Sequence, residues 1–377
     1  MEPAFVRIGS PGSTLFRLLL AAAVLFTMGA SALSSQSKKN IPYADLPIVQ
    51  PKDKKDAMRD ETLPAMKAPP GAVVAATSRL TFETLPLSGK GLLSAQVRES
   101  LRTLLRNAGS STVVKLRAFV AGSGDVRRVQ EIAAEVFGER RLNLPALTVV
   151  QVGALPLESA QVSLEATLES KRELNPNGLA FVAAQSGDSP ASALKGITAI
   201  LERSGLSAAD AVRATCFVSM LDSRAGVPPL GEAKVVVVQM QREPVRPAAT
   251  CEAVARLRAP VAEGVRVVSN EQGTPDAALV SAPRLAISGV QLGFGKQDSD
   301  IALALERIDR ALVAEGSAWK QVVYSHAYVM SRSAADPLSR MLRERIGEAR
   351  PFTILPFEGL SSIDAVMGID VIAVAGQ

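Results

Sequence analysis

Between Leu194 and Val218 apolar residues first recur at helical spacing (Ile197, Ile200, Leu201), then crowd past Gly205 into a run rich in β-branched and aromatic residues. This pattern predicts one helix feeding one strand. It returns from Leu305 to Val329: laid ungapped with Gly316 on Gly205, the second stretch pairs Ile308 with Ile197, Leu312 with Leu201, Val323 with Val212 and Tyr328 with Phe217. A third copy, its loop two residues shorter, places Leu101, Leu104 and Leu105 before Gly109, and Val113, Val114, Phe119 and Val120 after it. In each copy the glycine supplies the left-handed residue that stops a helix. Repeats decide architecture before any single residue does, so the chain reads as three related units in tandem.

The rest of each unit follows from the same periodicities. The first, placed at 72–172, opens on an alternating strand (Leu80, Phe82, Thr84). It continues with a second helix (Val129, Ile132, Ala133, Val136) and closes on strands at 145–152 and 161–168, giving the order β-α-β-α-β-β. The second, at 176–260, has strands at 179–184, 212–218, 235–240 and 250–256 and a helix at 191–203. Gly226, Pro228, Pro229 and Gly231 stand where its second helix would be, so that helix is trimmed. The third, at 265–377, is the most complete, with strands at 284–290, 322–330, 353–357 and 370–375 and helices at 301–314 and 338–346. The expected class is α+β, with helices covering one face of each sheet and the neighbouring sheets covering the other.

Charge narrows the function classes. The pI of 9.3 suggests a nucleic-acid partner, yet residues 1–71 carry nine Lys and Arg against six Asp and Glu, leaving 33 against 31 (42 − 9 and 37 − 6) for the body. A nearly neutral body with few aromatic rings offers neither a phosphate-tracking groove nor a stacking platform, so no nucleic-acid partner is expected. Arg7 and Arg17 flank a short n-region, Leu18 to Phe26 form an apolar run, and Ala30-Ser31-Ala32 end it, which is the grammar of a signal peptide cleaved after Ala32. Residues 1–32 are thus read as a signal peptide and 33–71, rich in Lys, Asp, Pro and Ser, as a flexible linker. The chain is expected to be exported, periplasmic or secreted. The alternative is an uncleaved anchor, which would be its sole membrane contact.

Cys216 and Cys251 form no CxxC pair and no Cys/His cluster, so neither a metal nor a cofactor is expected. Both are expected to be free, buried thiols. His326, the one histidine, sits in an apolar strand pattern with no nucleophile or carboxylate nearby in sequence. The reading there is a partly buried strand residue with a satisfied ring nitrogen.

The residues that carry a family resemblance are Ser288-Gly289-Val290-Gln291 in the third unit, Pro145-Ala146-Leu147-Thr148 in the first, and Val129-Gln130 at the head of its second helix. In the order described, they resemble the S-G-Q, P-A-R-T and V-N motifs of the Rid/YjgF family, the reactive-intermediate deaminases also known as endoribonuclease L-PSP-like proteins. The resemblance covers about residues 75 to 376. It implies three tandem chorismate-mutase-like (RidA-like) units closing into an intramolecular pseudo-trimer, with ligand clefts between neighbouring units. It also implies an arginine in the P-A-R strand to hold a substrate carboxylate, an early tyrosine lining the cleft, and a last-strand glutamate to position the water that hydrolyses an imine.

Against that pattern, Leu147 and Phe352 stand at the arginine position in the first and third units, and Lys234 in the second. The early tyrosine has no counterpart. A carboxylate follows eighteen residues on in each unit (Glu165, Glu252, Asp370), so Lys234 with Glu252 is the one surviving cation–acid pair. Lysine lacks the planar fork that grips a carboxylate. The expectation is therefore an exported RidA-like monomer with degenerate active sites that binds a small molecule or partner at its clefts. Lys234, Glu252, Ser288, Gly289, Phe352, Asp370, Leu147 and Glu165 are the candidate ligand-binding residues. The alternative is an enzyme hydrolysing enamines or imines; a ribonuclease fits poorly, for want of a basic groove.

Overall fold

The structure, a computed structural model, describes residues 67–122, 125–221, 226–240 and 248–376; the expected signal peptide and most of the linker lie outside them. In chain order the elements are β1 (Ala72–Ala76), β2 (Leu80–Thr84), α1 (Leu93–Ala108), β3 (Thr112–Ala121), α2 (Arg127–Glu139), β4 (Ala146–Val152) and β5 (Val162–Glu169). Then come β6 (Leu179–Gly187), α3 (Pro190–Arg203), β7 (Ala211–Val218), β8 (Val235–Gln239) and β9 (Ala249–Arg256). The last third holds β10 (Val265–Ser269), β11 (Pro275–Val280), β12 (Arg284–Ser288), β13 (Gln291–Gly293), α4 (Asp298–Ala314), β14 (Val322–Val329), α5 (Arg332–Ile346), β15 (Phe352–Pro356), β16 (Gly359–Leu360) and β17 (Met367–Val374).

These strands form three sheets that repeat one order. Each centre strand (β3, β7, β14) pairs parallel with the next strand in the chain (β4, β8, β15) and antiparallel with the last of its sheet (β5, β9, β17); the short β16 crosses to pair with β4. The last strand in turn pairs antiparallel with an opening strand (β2, β6, β12). Helices α1 and α2 bury apolar faces on the first sheet, α3 on the second, and α4 and α5 on the third. The described residues of 221–233 hold no helix. Gly109, Gly205 and Gly316, which follow α1, α3 and α4, all take positive φ (56°, 78° and 68°), the conformation that a side chain would oppose. Helix α5 begins at Arg332, six residues before the expected start, and carries Pro337 within it.

The faces turned away from the helices meet one another. One apolar layer gathers Leu80, Val114, Phe181, Val280, Leu285 and Val323 from all three sheets; a second gathers Phe119, Phe217, Tyr328 and Phe357. Burying a side chain of this size contributes about 1.5–3 kcal/mol, so these layers hold the sheets together.

Strand exchange adds to that. β1 leaves its own region to pair with β12 in the third sheet, and the hairpin β10–β11 pairs with β6 in the second. Residues 265–280, assigned from sequence to the third unit, thus lie at the edge of the second sheet.

The cysteines also differ from expectation. Cys216 and Cys251 face each other across β7 and β9 and form a disulfide. The expectation of free thiols therefore fails, although flat neighbouring strands seldom suit a disulfide. Antiparallel pairs, however, alternate between wide and close spacings, and this pair, with Cα atoms 4.1 Å apart, is a close one.

Candidate functional site

Side chains alternate along a strand, so those of the three centre strands that do not face helices face the space enclosed by the sheets. The sequence supplies polar residues there: Lys115 and Arg117 on β3, Arg213 and Thr215 on β7, Tyr324 and His326 on β14. Register then sets a carboxylate beside each strand, with Glu165 opposite Arg117, Glu252 opposite Thr215 and Asp370 opposite His326. Between the two apolar layers the three acids, with Lys115, Arg117 and His326, form a buried ionic layer.

Its hydrogen bonds cross between sheets. Arg117 donates from Nε to Glu165 Oε2 (2.7 Å), from Nη1 to Glu252 Oε1 (2.7 Å) and from Nη2 to Thr215 Oγ1 (2.9 Å). Thr215 Oγ1 in turn donates a hydrogen bond to Glu165 Oε1 (2.6 Å). Lys115 Nζ donates to Asp370 Oδ2 (3.0 Å), Thr148 Oγ1 (2.7 Å) and the Ser288 carbonyl, and Tyr328 reaches the same Asp370 oxygen (3.1 Å). His326 lies between two carboxylates, with Nδ1 2.9 Å from Asp370 Oδ1 and Nε2 3.0 Å from Glu252 Oε2. Ionised carboxylates only accept, so both contacts are hydrogen bonds only when the ring is an imidazolium.

The charges then balance, three acids against Lys115, Arg117 and a protonated His326. Burial alone would push His326 toward neutrality, but Glu252 and Asp370 outweigh it and raise its pKa. Burial likewise disfavours the charged forms of Glu252 and Asp370. His326 and Arg117 overcome it at Glu252, and Lys115 and His326 at Asp370, so both carboxyls lie well below the usual range. Lys115 is lowered by burial, opposed by Asp370. A fourth cation, Arg213, packs its guanidinium 5.2 Å from the centre of the Phe82 ring at the margin of this layer. A cavity of about 30 Å³ lies among these groups, room for a water molecule or two.

The candidate residues therefore separate. Glu165, Glu252 and Asp370 belong to the ionic layer, joined there by the Ser288 carbonyl. Lys234 is exposed, one residue before the true counterpart of Leu147 and Phe352: register sets Leu147 opposite Leu116, Phe352 opposite Ser325 and Val235 opposite Ala214. The expected pair of Lys234 with Glu252 does not form, since one side chain faces solvent and the other is buried in the ionic layer. Phe352 lies half-buried with Arg343 4.6 Å over its ring. His326 is satisfied as expected but fully rather than partly buried, with both ring nitrogens engaged, and its carboxylates come from strands 74 and 44 residues away. Sequence reading passed over Lys115 and Arg117, although charges at alternate positions within an otherwise apolar strand were the signal.

Leu147 and Gly289 do meet, in a cleft of about 330 Å³ between the first and third sheets. Val290 N donates to Leu147 O (3.0 Å), and a Cβ on Gly289 would come within 3.1 Å of that oxygen, so only glycine lets the two backbones approach unhindered. Leu147, Val149, Val290, Leu292 and Phe294 give the cleft an apolar wall, with Gln130, Gln291 and Ser361 around it. Arg307 of α4 also lines it, donating to Leu292 O and lying 5.8 Å from the Phe294 ring centre; among the described residues no carboxylate pairs with it.

Comparison with known proteins gives the following. The profile of the family described as Endoribonuclease L-PSP matches residues 91–169. No curated protein matches significantly. Similar solved structures include a YjgF/YER057c/UK114 family member from Mycobacterium tuberculosis, at 22% identity over 29% of this chain and 99% of that one, TM-score 0.23. A putative endoribonuclease from Thermotoga maritima matches at 18% identity, over 32% and 90% of the chains, TM-score 0.22. A chorismatase matches at 14% identity, over 80% and 99%, TM-score 0.25. Residues 91–169, which hold both helices of the first sheet and its three inner strands β3, β4 and β5, are thus similar to the Rid/YjgF, or endoribonuclease L-PSP, family.

Proposed function

We propose that this protein is an exported RidA-like binding protein: three tandem copies of the family fold closed into a pseudo-trimer within one chain, with a small molecule held in the cleft between the third and first copies. The observation that carries the reading is the cleft's chemistry. No carboxylate lines it, and Leu147 occupies the position of the family's clamp. Imine hydrolysis needs a group to place water, and a carboxylate substrate needs a buried cation. All three last-strand acids are instead held in the ionic layer, so the cleft suits an uncharged, largely apolar ligand on Leu147, Val149, Val290 and Leu292.

A second reading, an enamine or imine deaminase, draws on Arg307 of that cleft, with which no carboxylate among the described residues pairs. One experiment addresses both. The purified chain is assayed on an imine derived from a small amino acid, and its thermal unfolding is followed with a panel of neutral apolar ligands. Binding that Leu147→Trp abolishes, without hydrolysis, supports the binding reading. Hydrolysis that is lost in Arg307→Leu would replace it with the enzyme.

A further inference from the structure

The strand exchange follows a rule, and one position breaks it. The opening strand of the third sheet, β12, is covered on its outer edge by β1, and that of the second, β6, by β11. The corresponding edge of β2 in the first sheet is the end of its sheet. Exposure agrees: Leu285 to Ser288 and Leu179 to Ala183 are all buried, whereas Thr81, Phe82, Glu83 and Thr84 are all partly exposed.

Chain length explains the gap. The covering strand should come from the segment before β6, as β11 comes from the segment before β12. That segment has nine residues (170–178), against twenty-seven (257–283) between β9 and β12. β5 ends beside Leu80, so a covering strand would have to run the roughly 17 Å of β2 and return, which nine residues cannot span. Instead residues 170–175 fold over the start of β2 alone. Ser170 N donates to Arg79 O, Leu174 N and Asn175 N to Ser78 O, and Asn175 Nδ2 to Leu80 O (2.7 Å).

Beyond Leu80 no strand of the described residues pairs with the edge. Leu85 N points toward β5, donating to Leu164 O, whereas Leu80 O points away from it, so alternation turns the N–H and C=O of Phe82 and Thr84 outward. Among the described residues nothing bonds them. Beside Phe82 the buried Nε of Arg213 also lacks a partner.

We propose that the outer edge of β2 is a docking site for an extended peptide of a partner protein, which adds a strand antiparallel to β2 with small apolar side chains at alternate positions. The two filled positions specify that chemistry. β1 sets Val73 opposite Ile287 and Ala75 opposite Leu285, and β11 sets Ala278 opposite Phe181 and Val280 opposite Leu179, all turned into the apolar layer that the three sheets share. Main-chain bonds supply affinity in such strand addition, and alternate side chains supply selectivity. A carbonyl or carboxylate of the peptide accepts from Arg213 Nε.

The test uses the whole chain and a labelled synthetic peptide with the sequence of residues 71–78. Fluorescence anisotropy should show saturable binding, and amide exchange at Phe82 and Thr84, fast in the free protein, should slow when peptide is added. Methylating the peptide nitrogens that face β2 should weaken binding about tenfold, since two main-chain bonds are lost. Thr84→Pro removes an outward N–H that the ladder to β5 does not use, and should weaken it similarly. Absence of binding, binding that leaves those amides unprotected, or equal binding of the methylated peptide overturns the proposal. So does protection that appears on raising the protein concentration alone, which would assign the edge to a second copy of the chain.

Discussion

Arg117→Met tests whether the ionic layer is a structural unit. The guanidinium contacts Glu165 at 2.6 and 2.7 Å and Glu252 at 2.7 Å, and the side chains of all three residues are at most 5% exposed. Methionine keeps the stem's bulk while removing the charge. Two buried carboxylates are then left with Thr215, Tyr324 and His326 as neighbours. Breaking a buried pair in this way costs about 3–5 kcal/mol. For about 300 ordered residues the unfolding entropy is about 0.6 kcal/mol/K, so Tm should fall by about 5–8 °C. Differential scanning calorimetry at pH 7 measures it. The same change combined with Glu165→Gln and Glu252→Gln removes all three charges together and should recover much of the loss, because the penalty lies in the uncompensated acids. A single variant within a degree of the parent, or a triple variant less stable than the single, would refute the argument.

Other outcomes follow from the same geometry. His326, with its pKa raised in the folded state, contributes stability fully below its unfolded pKa of about 6.5 and loses it as pH rises through the folded value; Glu252 and Asp370, depressed, contribute above about 4 and lose it in acid. Urea midpoints should therefore peak between about pH 4.5 and 6.5, and His326→Gln should flatten the alkaline limb and, because the imidazolium also holds Glu252 and Asp370 down, shallow the acid one without abolishing it, since Arg117 and Lys115 remain. Thiol titration of the denatured chain should find no groups before reduction and two after it. Reduction should cost about 4 kcal/mol by the chain-entropy estimate for a 35-residue loop. Light scattering on residues 33–377 should give one chain per particle, and a stable trimer of chains would count against closure within the chain.

How much of this the sequence held can be judged residue by residue. Local periodicity fixed the helix–glycine–strand stretches, because the spacing of Ile197, Ile200 and Leu201, or of Ile308 and Leu312, is a property of neighbours in the chain. The turn after each helix was equally local, since only glycine takes its positive φ without strain. The eighteen-residue count from Leu147 to Glu165 and from Phe352 to Asp370 found the acids, but not their direction. Whether Glu252 faces a cleft or the buried ionic layer depends on strand register, and the one-residue offset at Lys234 misplaced its partner. Arg117 meets Glu252 across 135 residues and Lys115 meets Asp370 across 255, contacts that no local pattern encodes. The disulfide needed the phase of the β7–β9 pairing, and the open edge of β2 needed the knowledge that β1 and β11 cross to other sheets. Short-range spacing thus determined the elements, while the packing of the three sheets against one another decided which charges meet, which thiols join and which edge is left without a neighbour.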